Sequence, residues 1–223
     1  MASTTQTLSV SSDIALYTFV DTAYLHGRSA ADVAQQLCDG GSNWVQLRAK
    51  GASEDEVRVL AEQILPVTQA AKVPLVINDY PNLAAELGAP FGHLGQEDFF
   101  DAGYLRVEDL PAASRGVQFG LSTHTPEQAH RAIQAGPAYI AIGPVFATGT
   151  KPTAAPVTLN YVRWARDHVS IPWFAIGGIH LGNLEQVIEA GATGVCVVSA
   201  ILNSSRIAEA CQEFKKRLAS ALR

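Results

Sequence analysis

The sequence predicts an α/β protein whose eight parallel strands close into a (β/α)₈, or TIM, barrel. Three observations carry that prediction. First, eight short apolar segments alternate with eight stretches of helical spacing along 223 residues. Such alternation points to parallel strands joined by crossover helices. Second, eight units are what closes a barrel, and this chain length is common for one. Third, polar residues collect just after the apolar segments, where barrel enzymes carry their chemistry. A doubly wound open sheet is the competing topology.

Ile14 to Val20 reads as the first strand, with Asp21 at its end. Ser29 to Leu37 has helical spacing, with Ser29 as N-cap and Gly40-Gly41 as stop. Trp44 to Arg48 is the second strand. Ser53 then opens a helix to about Ala71, and Glu56 completes a capping-box pattern. Pro74 to Ile77 is the third strand, ended by Asn78-Asp79. A short helix over Leu83 to Leu87 leads to the fourth strand, Gly92 to Leu94, which Gly95 to Asp98 closes. Phe99 to Gly116 mixes aromatic and acidic residues with Pro111 and predicts a short helix and turns.

Val117 to Leu121 is the fifth strand, followed by Ser122-Thr123-His124. Thr125-Pro126-Glu127 opens a helix with proline at its first position. Ala138 to Ile142 is the sixth strand. It runs into a loop holding Thr148, Gly149, Thr150 and Lys151. A helix over Leu159 to His168 precedes the seventh strand, Pro172 to Ile176, and then Gly177-Gly178-Ile179. Asn183 to Ala190 is helical. Gly194 to Val198 is the eighth strand, ending in Ser199-Ala200, and residues 206–222 form a last amphipathic helix.

Residues 13–223 therefore read as one barrel domain. Residues 1–12, rich in Ser and Thr with no basic start and apolar core, read as a loose leader. A chain that is 48% hydrophobic and 17% charged has enough apolar material for a sizeable core. A formal charge of -5 argues against a general nucleic-acid surface but not against small anionic ligands. No apolar run reaches membrane-spanning length. Cys38, Cys196 and Cys211 lack metal-ligand spacing and predict reduced thiols in a cytoplasmic protein, Cys196 being buried and structural.

The strand ends have a common character. Gln46, Arg48 and Lys50 share one face at a spacing of two. Arg48, Lys50 and Lys151 supply cations; Asp79 and Asp98 supply hard oxygen ligands. Carboxylates beside several cations suit a Mg²⁺–diphosphate site. Gly178 with Val198-Ser199 suits a lone phosphate, bound by backbone N–H groups after strands seven and eight. Two phosphorylated substrates follow, one with a metal. Each residue also has a plainer reading. Asp79, Asp98 and Ser199 serve as ordinary caps, Arg48 and Lys50 as a solvated strand end, and Gly177-Gly178 as a tight turn. Thr148 to Lys151 serves as a solvated loop, and His93 and His124 as packed or supporting histidines. What favours the functional reading is that nearly every strand end carries a suitable polar group.

Seven ordered motifs together resemble the thiamine-phosphate synthase family. They are Gln46-Leu47-Arg48-Ala49-Lys50, Ile77-Asn78-Asp79, His93 to Asp98, Gly120 to His124, Gly143 to Phe146 with Thr148 to Lys151, Ala175 to Ile179, and Val197 to Ile201. The resemblance implies a barrel enzyme, usually a homodimer, that joins hydroxymethylpyrimidine diphosphate to a thiazole phosphate and releases diphosphate. It implies that Gln46, Arg48, Lys50, Asn78, Ser122 and Lys151 contact the pyrimidine diphosphate. Asp79 and Asp98 bind Mg²⁺, and Thr148, Thr150, Gly178, Val198 and Ser199 contact the thiazole phosphate. The implied mechanism is dissociative, with diphosphate leaving before the thiazole nitrogen attacks. A thiazole tautomerase-like barrel working through His124 is the nearest alternative. A non-catalytic barrel that binds a phosphorylated ligand is another.

Three departures from the family pattern carry expectations. Tyr80 stands where arginine is frequent, so a contact to neighbouring loops or phosphate is expected to be missing. Ala147 stands where proline is usual and should loosen its loop. The long stretch after Asp98, opening with Phe99-Phe100, is expected to alter substrate closure or thiazole selectivity.

Overall fold

The computed structural model describes residues 15–111, 114–149 and 155–221. The expected leader, residues 1–12, lies outside them, as do Thr150 and Lys151. The strands are β1 (Ala15–Asp21), β2 (Trp44–Arg48), β3 (Leu75–Asn78), β4 (Phe91–Gly95), β5 (Gln118–Thr123), β6 (Tyr139–Ile142), β7 (Trp173–Ile176) and β8 (Gly194–Val197). All pair in parallel with their sequence neighbours, and β1 pairs β8 to close the barrel. The open-sheet alternative is thereby excluded.

Helices α1 (Ala30–Asp39), α2 (Glu54–Ala70), α3 (Pro81–Glu86), α4 (Gln96–Asp101), α5 (Pro126–Gln134), α6 (Thr158–His168), α7 (Leu184–Glu189), α8 (Ser199–Leu202) and α9 (Ile207–Ser220) surround it. The helix starts follow their side chains. Ser29 Oγ accepts from Asp32 N–H at 3.0 Å. Ser53 and Glu56 form the reciprocal capping box, and Thr125 caps α5 ahead of Pro126.

Each strand has two faces because successive side chains alternate. Outward residues such as Leu16, Val45, Ile77 and Leu121 pack under the helices in one large apolar layer. Inward residues form a second core of Tyr17, Phe19, Trp44, Val76, Phe91, Tyr139, Phe174 and Cys196. These rings fill the barrel so tightly that glycine is required beside them. A Cβ on Gly120 would lie 2.1 Å from the Tyr139 ring.

Two places farther along the same inward lanes the character changes. Trp44 is followed by Gln46 and Arg48, Val76 by Asn78, Phe91 by His93 and Gly95, and Cys196 by Val198. The period of the strand thus turns one interior into an aromatic floor and a polar mouth.

Some elements differ from the sequence reading. Gln96 to Asp98, read as closing the fourth strand, is already helical, because Gly95 takes the N-cap position and α4 starts at once. Ser199-Ala200 starts a short helix, α8. Asp21 does not merely end β1; its Oδ1 accepts from Ala23 N–H at 3.0 Å and caps a 3-10 turn over Thr22–Tyr24. Asn183 precedes α7, and its side chain closes the preceding loop.

Candidate active site

The mouth is a cleft at the carboxyl ends of the strands. Eleven predicted residues line it: Gln46, Arg48, Lys50, Asn78, Asp79, Asp98, Ser122, Thr148, Gly178, Val198 and Ser199. His93 and His124 also face it. Thr150 and Lys151 lie outside the described residues.

The wall from β1 to β4 is charged. Register places Asp21 opposite Arg48, and Arg48 Nη1 donates to Asp21 Oδ2 at 2.7 Å, with only 1% of the Asp21 side chain exposed. A buried carboxylate needs such a partner. Lys50 Nζ lies 2.6 Å from Asp79 Oδ2. Asp79 itself has φ +68°, a left-handed conformation that aspartate enters more readily than most residues. Its N–H donates to the His93 carbonyl at 2.9 Å. Tyr80, not Asp79, precedes α3, so the plainer reading of Asp79 as a helix cap does not hold. Asp98 occupies the first turn of α4, and its carboxylate folds back over Gly95, where a Cβ would meet Oδ2 at 2.8 Å.

The wall from β6 to β8 is built differently. Gly177 and Gly178 have φ +102° and +63°, and a Cβ on Gly178 would lie 2.5 Å from the Ala147 carbonyl oxygen. Only glycine accommodates both conditions. Asn183 Nδ2 donates to the Gly178 carbonyl at 2.9 Å, and Asn183 Oδ1 accepts from His180 N–H at 2.8 Å. Ser199 is the first residue of α8, which Val198 precedes without a side-chain cap, so Ser199 is not an N-cap. Among the described residues, the part of the cleft contributed after β5 contains no Asp, Glu, Lys or Arg.

Between the walls, a hydrogen-bonded chain crosses the barrel interior. Gln46 Nε2 donates to Tyr17 Oη at 2.6 Å, Tyr17 and Tyr139 hydroxyls are 3.0 Å apart, and His93 Nδ1 lies 3.0 Å from Tyr139 Oη. Burial pushes the Tyr17 hydroxyl well above its usual range, with the neighbouring Tyr139 adding to it. Burial raises Tyr139 likewise. Both stay neutral and act as hydrogen-bonding groups. His124 Nδ1 bonds the Gly143 carbonyl, and its Nε2 stands 3.8 Å from Glu97 Oε1.

Sequence reasoning missed Tyr17, Tyr139, Asp21 and Arg28. Tyr17 and Tyr139 sit in apolar runs and look like core. The Arg28 guanidinium donates to the carbonyls of Tyr24, Leu25 and Ser204 at 2.8–2.9 Å and also to Leu202. It ties the loop after β1 to the end of α8, a role that only the folded chain reveals.

The departures resolve in part. Tyr80 does make a loop contact, its hydroxyl donating to the Ala52 carbonyl at 2.6 Å. Phe99 joins the outer core and Phe100 packs under the Arg131 guanidinium at 3.6 Å, so neither lines the cleft.

Among the described residues, no group of three or more His, Cys, Asp or Glu side chains gathers to hold a metal. Asp79 and Asp98 are two hard carboxylates on one cleft wall. That donor set fits Mg²⁺, which takes one or two protein carboxylates and completes its shell with water and phosphate oxygens. No helix among the described residues is long and apolar enough to cross a membrane.

Comparison with known proteins places the chain. The family model described as thiamine monophosphate synthase matches residues 16–201. A thiamine-phosphate synthase from Thermus thermophilus is 43% identical over 188 residues, covering 84% of this chain and 88% of that one. One from Lawsonia intracellularis is 35% identical over 207 residues, covering 92% and 93%. The solved thiamine phosphate pyrophosphorylase of Pyrococcus furiosus superposes with a TM-score of 0.79 at 25% identity, covering 94% and 98%. With its barrel and its sequence matched along nearly the same span, the chain belongs to the thiamine monophosphate synthase family of transferases.

Proposed function

We propose that the cleft joins hydroxymethylpyrimidine diphosphate to a thiazole phosphate, or to its carboxylated precursor, giving thiamine phosphate and diphosphate with Mg²⁺. The observation that carries this reading is the asymmetry of the mouth. One wall offers Arg48, Lys50, Asp79 and Asp98, and the other, among the described residues, offers glycines and hydroxyls without formal charge. The first suits a diphosphate with a metal, the second a single phosphate.

In this reading Arg48, Lys50 and Lys151 hold the diphosphate charge. Gln46, Asn78 and Ser122 orient the pyrimidine, and Tyr17 fixes the Gln46 carboxamide from below. Thr148 and Thr150 line the thiazole side, and Gly178, Val198 and Ser199 take its phosphate. Asp79 and Asp98 would hold the magnesium ion, which would supply positive charge beside the diphosphate. The carbon–oxygen bond breaks first, and its electron pair leaves with diphosphate. The thiazole nitrogen lone pair then closes on the methylene carbon to form the carbon–nitrogen bond. No protein nucleophile is needed. The chain contributes alignment of the two rings and stabilisation of the leaving charge. On the same family reading, residues 13–223 form one catalytic domain and the working form is a cytoplasmic homodimer.

The test is turnover. Purified protein given both substrates and Mg²⁺ makes thiamine phosphate. Asp79→Asn and Asp98→Asn each lower kcat/KM by about 100-fold or more, the scale of losing a key electrostatic group. A tautomerase-like barrel would instead ignore both changes and depend on His124. Turnover that persists unchanged in chelator and in both variants overturns the synthase reading.

A further inference from the structure

In the proposed reaction Lys50 serves the diphosphate and Asp79 serves the metal, yet in this structure they serve each other. Lys50 Nζ lies 2.6 Å from Asp79 Oδ2. The partners are held very differently. The Asp79 backbone is fixed at φ +68°, with its N–H on the His93 carbonyl of β4. Lys50 lies beyond the end of β2, and half of its side chain is exposed. Its loop is braced by the Tyr80 hydroxyl on the Ala52 carbonyl at 2.6 Å, and an exposed four-carbon stem has other rotamers open to it. A pair this exposed is weak, because water screens both charges. A divalent cation, carrying twice the charge and preferring oxygen ligands, displaces the ammonium readily.

We propose that Lys50 is an exchange cation: it neutralises Asp79 before metal binds, yields that carboxylate to the incoming divalent ion, and carries its charge to the diphosphate. The inference rests on the functional reading in which Asp79 takes the metal.

Linkage makes the idea specific. Metal arriving alone must expel Lys50 without compensation. Metal arriving with diphosphate gives the expelled ammonium a new partner. Metal and diphosphate therefore strengthen each other's binding beyond their direct contact, and the coupling is reciprocal. Removing the ammonium has effects of opposite sign in the two conditions. A lysine that only binds diphosphate alters the second condition alone.

The experiment is a Mn²⁺ titration of the purified protein, followed by the electron paramagnetic resonance of free ion, with and without inorganic diphosphate. Lys50→Met binds Mn²⁺ alone about two- to fivefold more tightly than the unsubstituted protein, the scale of one exposed ion pair. It binds Mn²⁺ with diphosphate about tenfold more weakly, the scale of one charge-assisted contact. Lys50→Arg, which keeps the charge, follows the unsubstituted protein in both. If Lys50→Met leaves Mn²⁺ binding unchanged, weaker or undetectable without diphosphate while Asp79→Asn still reduces metal binding, the exchange is overturned and the metal assignment stands. If Asp79→Asn has no effect on Mn²⁺ binding in either condition, the metal assignment falls and the exchange falls with it. Melting curves of each variant separate a binding change from unfolding.

Discussion

The wall of the cleft built by β1 to β4 and the wall built by β6 to β8 face the same solvent but are made of different material. The first uses side-chain charge: Arg48 on Asp21, Lys50 on Asp79, and Asp98 over Gly95. The second uses backbone: Gly177 and Gly178 at positive φ, braced by Asn183. Side-chain charge is mobile and can be redistributed as ligands come and go. Backbone dipoles are fixed in place and need no counter-ion. The comparison explains why fragility lies in different places. A charged wall fails when a partner is lost; a backbone wall fails when a side chain intrudes.

The largest effect breaks the charged wall. Arg48→Met strands Asp21, of which only 1% is exposed, and costs about 3–5 kcal/mol in urea unfolding. Adding Asp21→Asn recovers much of that loss, because the orphaned charge is gone. A loss below about 1 kcal/mol for Arg48→Met would place this pair among ordinary surface bridges. Next comes the backbone wall. Gly178→Ala forces a Cβ to 2.5 Å from a carbonyl oxygen and costs about 1–3 kcal/mol. Steady-state kinetics should show a raised KM for the thiazole phosphate and an unchanged KM for the diphosphate substrate. Equal rises in both would dissolve the division between the walls.

The smallest effect concerns the floor beneath both walls together with two thiols of the outer apolar layer. Burial pushes Cys38 up to about 11 and Cys211 up to about 12, from an ordinary 9.0. Tyr17 and Tyr139 rise above 10.0. The unfolded chain releases these protons first, so their contribution to stability is full below about pH 9 and is lost as pH climbs beyond it. Melting temperatures should be level from about pH 7 to 9 and fall above that. Tyr139→Phe should soften the fall above about pH 10. A melting temperature that rises between about pH 9 and 11 would contradict the sign.

Much of this architecture was legible in the sequence, for reasons of period. Trp44 to Arg48 was bounded correctly because Trp44, Val45 and Leu47 form an apolar core between the polar Ser42-Asn43 and the charged Arg48. The Ser53–Glu56 box located the start of α2 to the residue. The strand-end rule then gathered the charged wall without any structure. Turns and bonds between distant residues were harder. Asp98 sits on a helix because Gly95 is its cap, and a residue without a side chain gives no capping signal. Tyr17 and Tyr139 are 122 positions apart in sequence, and their hydroxyl pairing exists only once the barrel is closed. Arg28 is similar: its carbonyl partners Leu202 and Ser204 lie at the other end of the chain.

The aromatic floor has one further consequence. Eight inward residues, six of them aromatic rings with Tyr139 wholly buried, stop the barrel below Gln46. Among the described residues the barrel is therefore a vessel filled at its base and open at the mouth. Gln46, 3% exposed, lies deep in it, while Thr148 and Gly149 stand at the rim. Whatever rests on Gln46 has to enter before anything that covers it, so the shape of the fold imposes a queue on its visitors.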